Sequence, residues 1–185
     1  MIWTLGSRSM DFHSRVQIMG ILNVTPDSFF DGGRYHERKA AVERGLQMVE
    51  EGADIIDVGG ESSRPPLYGE VRPVGVSEEC ERVVPVVEGM RRYSAVPISV
   101  DTTKAEVARQ ALLAGGDVIN DISALCADPG MVEVAAAGAA PVILMHGHGR
   151  APGPYANLLG ELKGFLAERV AAARAAGLSL SLIHI

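Results

Sequence analysis

Three times the chain runs through a short apolar stretch and stops on a cluster of polar groups. Val16–Leu22 gives way to Asn23, Thr25, Pro26, Asp27, Ser28, Asp31, Gly32 and Gly33. Ile55–Val58 leads into Gly59, Gly60, Glu61, Ser62, Ser63 and Arg64, ahead of Pro65 and Pro66. Ile98–Val100 ends on Asp101, Thr102 and Thr103. Strands that are apolar throughout belong in a sheet covered on both faces, which in practice is a parallel sheet under helices. Polar groups placed repeatedly after such strands collect on one rim of that sheet.

The intervening segments read as helices. Val42, Leu46 and Val49 mark one apolar face of a helix over about Arg38–Glu51, and Gly52 follows it. Ser77, with Glu78 and Glu79 next to it, has the chemistry of an N-cap and an acidic first turn. Val83, Val87 and Met90 give that helix its buried face, with Pro85 inside it. Thr103 and Glu106 have the spacing of a capping box, and Gly115-Gly116 closes the helix they open. Asp128-Pro129 reads as an N-cap with proline in the first helical position, ahead of a helix to about Ala137. Strands are expected at Asp117–Ile119 and Pro141–Met145. A last helix is expected over about Tyr155–Ala176, with Leu159, Leu162, Leu166 and Val170 inward. Residues 1–15 read as a short hairpin plugging one end of the fold.

Five strand-helix units in succession imply a parallel sheet with right-handed crossovers. An open doubly wound sheet concentrates its ligand groups at one switch point, often behind a G-x-G-x-x-G turn. That motif is absent here, and every strand ends in a polar group: Asn23, Glu61–Arg64, Asp101, Asn120-Asp121 and His146. A ring of strand ends is the arrangement of an α/β (β/α)8 TIM barrel with its site in the mouth. The expected fold is such a barrel, truncated after about five βα units.

Composition narrows the function. With 47% hydrophobic but only 5% aromatic residues, the core must be Val, Ile, Leu and Ala. A net charge of −6 without long runs argues against nucleic acid and against an acidic membrane surface as partners. No apolar stretch approaches the ~20 residues of a membrane span, and no apolar block marks a leader, so the expected location is cytoplasmic. Cys80 and Cys126 have neither disulfide nor zinc spacing. His146 and His148 lack the further ligands a zinc site needs.

The segments N-V-T-P-D-S-F-F-D-G-G, G-G-E-S-S-R-P and S-V-D-T-T-K together resemble dihydropteroate synthase of folate biosynthesis, over about residues 16–178. The resemblance implies a transferase that joins 6-hydroxymethyl-7,8-dihydropterin diphosphate to p-aminobenzoate and releases diphosphate. Asp101 and Asn120 would bind the pterin. A carboxylate suits the ring's guanidine-like edge, and an amide both donates and accepts. Asn23 would hold Mg²⁺ with the diphosphate, and Ser63, where the family usually has Thr, would bond a diphosphate oxygen. Asp31 would stabilise the pterin-methylene cation left when diphosphate departs. Arg64 would act beside it, Phe29 and Pro65 would wall the benzoate pocket, and Met145 would touch the pterin. Members of the family are typically homodimers.

Taken singly, several of these residues have plainer readings. An isolated Asp101 would cap the next helix, Asn23 would shape a turn before Thr25-Pro26, and Arg64 would be a solvated loop residue. After Met145-His146 the sequence departs from the family pattern at Gly147-His148-Gly149. The family's later lysine, arginine and histidine cannot be assigned, so this chain alone is expected to be inactive or nearly so. Two other readings fit part of the pattern: a pterin-binding domain of a methyltetrahydrofolate-dependent methyltransferase, and a non-catalytic truncated paralogue. The final L-S-L-I-H-I corresponds to codons that spell a common transposase-adapter end. Native sequence is therefore expected to stop near Ser179, the alternative being that the apolar alternation of L-S-L-I-H-I makes a genuine sixth strand.

Overall fold

The structure, a computed structural model, describes residues 2–5, 8–25, 33–62, 73–146 and 155–185. Two strands open the chain, β1 (Ile2–Leu5) and β2 (Arg8–Asp11), paired antiparallel. Then come β3 (Met19–Asn23), α1 (Gly33–Glu50), β4 (Ile55–Gly59), α2 (Val76–Arg91), β5 (Ile98–Asp101), α3 (Ala105–Leu113), β6 (Val118–Asp121), α4 (Met131–Ala137), β7 (Val142–Leu144) and α5 (Leu158–Ala175). A 3-10 turn at Leu180–Leu182 leads into β8 (Ile183–His184). The strands β3 to β8 form one parallel sheet in strict sequence order. A doubly wound sheet would reverse direction at a switch point; unbroken order is that of a (β/α)8 barrel wall.

Alternate strand residues face the helices. Leu22, Ile56, Val58, Ile98 and Val100 pack with Val83, Val86, Val87 and Met90 of α2 in one fully buried cluster. Ile119, Val142 and Leu144 pack with Met131, Ala135 and Ala173 of α4 and α5 in a second. The residues between them in sequence therefore line the inner face. At the N-terminal ends of the strands that face is filled by Trp3, Leu5 and Met10 of the hairpin, against Ile55 and Val118. The C-terminal ends are left to polar side chains.

The local signals differ from the structure in instructive ways. The first inner strand starts at Met19 rather than Val16, because Asp54 takes the Ile18 N–H at 2.8 Å and Val16 stays solvent-exposed. Gly75, not Ser77, is the N-cap of α2, and Ser77 lies inside its first turn. The Thr103–Glu106 capping box does not form. Lys104 is the N-cap, Glu106 pairs with Arg109 and Gln110 at 2.6 and 2.7 Å, and a distant carboxylate oxygen, Asp128 Oδ2, accepts from Ala105 N at 2.8 Å. Asp128 also accepts from Gly130 N at 2.9 Å, and α4 starts at Met131 behind Gly130, so Pro129 precedes the helix. The last helix begins at Leu158, with Asn157 accepting from Gly160 N, and Leu159 points outward. The expected stop signals Gly52 and Gly115 sit at φ +107° and +105°, where a side chain would be strained.

The tail expected to be non-native occupies the sixth strand position of the wall. Ile183 aligns with Val142 and His184 with Ile143. The His184 ring lies 5.3 Å from Phe12 and 5.2 Å from Trp3, so it also touches the hairpin.

Candidate functional site

Asn23, Gly59, Asp101 and Asn120 occupy one row across four adjacent strands. Asn23 is in register with Gly59, Gly59 with Asp101, and Asp101 with Asn120. Ile143 continues the row on β7. All lie on the inner face at the C-terminal ends of their strands. The row exists because the parallel ladder holds these strands in register, so the residues at or next to their C-terminal ends arrive at the same height.

Gly59 leaves room for this convergence. A Cβ there would stand 3.5 Å from Asp101 Oδ2 and 3.8 Å from Asn23 Oδ1. The glycine thus forms a floor flanked by a carboxylate on one side and an amide oxygen on the other. Asp101 is partly buried, and its carboxyl is pushed up from 3.8 to about 7. Burial is the main cause, and the neighbouring charges of Asp57, Glu79, Asp121 and Glu61 add to it. At neutral pH the group stands between its two forms, ready to ionise against a ligand that brings N–H donors.

Met145 follows β7 on the same face as Ile143 and is largely exposed at the mouth. His146 turns away: its ring packs edge-on to Phe165 at 5.0 Å and against Tyr155 at 5.9 Å. No cluster of three or more His, Cys, Asp or Glu side chains able to hold a metal occurs among the described residues. Phe29, Asp31, Ser63, Arg64 and Pro65, together with Asp27 and Gly69, lie outside the described residues.

Two further features matter here that the sequence did not show: a buried aspartate and an association of charged side chains. Asp57, in the middle of β4, is 5% exposed, and burial raises its carboxyl above the usual range. A carboxylate between Ile56 and Val58 in an apolar strand was the signal available for it. The second is an ion triad just beyond the C-terminal ends of β4 and β5, against α2. Lys104 Nζ lies 2.5 Å from both Glu61 Oε2 and the fully buried Glu79 Oε2. Glu61 Oε1 accepts from Val74 N at 3.0 Å, and Arg82 donates to Gly60 O at 2.7 Å. Burial works against the charge on Glu61, but the Lys104 ammonium overcomes it and holds the carboxyl below its ordinary value. These contacts join the segment after β4 to the segment after β5. Each residue is ordinary in sequence; only the fold brings them together.

A parallel barrel wall with polar groups rowed along its C-terminal mouth defines a small-molecule site of the (β/α)8 class. Within that class the chain belongs to the pterin binding enzyme family, whose model matches residues 19–185. It is 43% identical over 175 residues to dihydropteroate synthase of Synechocystis, covering 92% of this chain and 59% of that protein. It is also similar to Xanthomonas albilineans dihydropteroate synthase solved with 4-aminobenzoic acid: TM-score 0.88, 44% identity, 98% of this chain and 64% of that one. The complex of that enzyme with 7,8-dihydropteroate gives a TM-score of 0.84 at 40% identity, over 99% of this chain and 64% of that one. The chain thus spans about three fifths of the length of these relatives. No helix among the described residues is long and apolar enough to cross a membrane.

Proposed function

We propose that this chain supplies the pterin-binding wall of a dihydropteroate synthase, the transferase that condenses 6-hydroxymethyl-7,8-dihydropterin diphosphate with p-aminobenzoate and releases diphosphate. The observation that carries this reading is the row Asn23–Gly59–Asp101–Asn120 at the mouth. Asp101 would accept N–H bonds from the ring's guanidine-like edge, and its partly buried place makes those bonds worth more than they are in water. Asn120 would donate and accept beside it. Met145 would lie against the ring.

Asn23 offers a single hard amide oxygen beside Gly59, on the side away from Asp101. That donor suits Mg²⁺, which takes few protein ligands and completes its shell with phosphate and water. Bound there, Mg²⁺ would neutralise charge on the departing diphosphate. Asp31 and Arg64 are proposed to act from the segments that follow β3 and β4: the carboxylate stabilises the cation at the pterin methylene, and the guanidinium holds anionic oxygens. Ser63 would bond diphosphate, and Phe29 and Pro65 would flank the benzoate. Solubility in the cytoplasm and a homodimeric assembly belong to the same reading.

Calorimetric titration tests it. The 185-residue chain should bind 6-hydroxymethyl-7,8-dihydropterin diphosphate more tightly with Mg²⁺ than without, and Asp101→Ala should abolish binding. Turnover of p-aminobenzoate by this chain alone should be little or none. Equal binding with and without diphosphate and Mg²⁺ would instead favour a methyltetrahydrofolate-binding role.

A further inference from the structure

Asp57 sits one layer beneath the polar row, on the same inner face, in register with Ser99. It is 95% removed from solvent, a costly place for a carboxylate that is not fully bonded. Two side chains support it: Asn120 Nδ2 donates to Oδ2 at 3.1 Å, and the Ser99 hydroxyl on the neighbouring strand also favours the carboxylate. Among the described residues Asp57 Oδ1 and Ser99 Oγ, facing each other across the ladder, have no bond of good geometry, so Ser99 supports the carboxylate only weakly. The aspartate is thus incompletely satisfied within its own layer. Its well-formed side-chain bond reaches upward, to a residue of the mouth.

An asparagine amide in a binding site has two nearly isosteric orientations, related by a flip that exchanges its oxygen and nitrogen. A neighbour that accepts and does not donate removes one of them, because the flipped amide would set oxygen against oxygen. We propose that Asp57 is a positioning residue: by taking one N–H of Asn120, it fixes which end of that amide faces the mouth. Asn120 then presents its oxygen and its second N–H in a single sense. Resting on the pterin reading above, this makes Asp57 a determinant of which heterocycle edge is accepted. A ring whose donor and acceptor are exchanged would meet like groups and lose both bonds. At about 1 kcal/mol for each net hydrogen bond, a mispointed amide costs tenfold or more in affinity.

Two measurements test this. The first uses the native chain without ligand and follows hydrogen exchange of the Asn120 side-chain NH₂ by nuclear magnetic resonance. One of the two protons should be protected and the other not, and Asp57→Asn should remove the difference. Equal and rapid exchange of both in the native chain would overturn the proposal. The second titrates 6-hydroxymethylpterin, followed by its fluorescence, into the native chain, Asp57→Asn, Asn120→Ala and the double variant. Asp57→Asn should weaken binding about tenfold alone and have no further effect once Asn120 is alanine, with its melting temperature unchanged or raised. The same loss in both backgrounds, or no loss in either, would overturn it. Should Asp57→Asn fail to fold, Asp57→Ser enters the same cycle, and the exchange measurement on the native chain decides on its own. A protected Asn120 proton with no pterin binding would refute the pterin reading and leave the positioning role standing.

Discussion

Replacing Asp101 by asparagine should make the protein more stable, and only above about pH 4. The carboxyl of Asp101 titrates near 3.8 in an unfolded chain and near 7 in the folded one. Between those values the folded state holds a proton that the unfolded state has given up. Stability therefore falls as pH rises through this window, and the loss is complete above about pH 7. A tenfold difference in proton affinity is worth about 1.4 kcal/mol, so the whole window amounts to about 4 kcal/mol as an upper value. Asparagine keeps the shape and removes the charge. At pH 3.5, below both values, the variant and native chains should melt close together. At pH 8 the variant should gain roughly 2–4 kcal/mol, or about 5–12 °C for a domain of this size. Calorimetric melts at both pH values measure this. A variant that is destabilised at pH 8, or shifted equally at both, would show that Asp101 is satisfied within the fold rather than held for a ligand. Binding should pay the opposite way: native affinity for a pterin should rise through pH 7 as the carboxylate ionises.

Two further perturbations separate stability from the site. Lys104→Met leaves Glu61 and the fully buried Glu79 without their shared cation. Removing one partner of a buried ion pair costs about 3–5 kcal/mol, so the urea midpoint should drop with the slope unchanged; a loss below about 1 kcal/mol would refute the importance of the triad. Gly60→Ala should destabilise the fold by about 1–3 kcal/mol, since its Cβ would lie 2.8 Å from Val83 Cγ2 and 2.9 Å from Glu79 Cγ. Gly59→Ala, with its nearest atoms at 3.5 Å, should fold normally and lower ligand affinity by intruding between Asn23 and Asp101. Comparing melts with pterin titrations for the pair checks both statements, and equal behaviour of the two variants would contradict them.

The strand-helix order, the placement of Asn23, Asp101 and Asn120 at strand ends, and the inward face of α2 through Val83, Val87 and Met90 were all legible in the sequence. Each depends on short-range information: a run of apolar residues, its length, and the polar residue that stops it. Helix starts were less legible. Ser77 and Thr103 are good caps locally, but the cap of α3 is set by a contact with Asp128, 23 positions from Ala105. Leu159 fits the apolar stripe of α5 yet lies outward, because periodicity names a face without saying whether anything covers it.

The sequence by itself determined that apolar strands would alternate with helices and deliver amides and carboxylates to one rim. Backbone geometry enforces that, since strand runs and their stop signals are local. Only the tertiary structure decided that the polar strand ends stand in one row, with Asn23 and Asp101 flanking Gly59. It alone placed Asp57 under Asn120, 63 positions apart, and set Lys104 between Glu61 and Glu79. Those contacts come from register between strands and from helices folding back over them, and their electrostatics depend on how far burial removes water. Neither quantity is written in any single stretch of the chain.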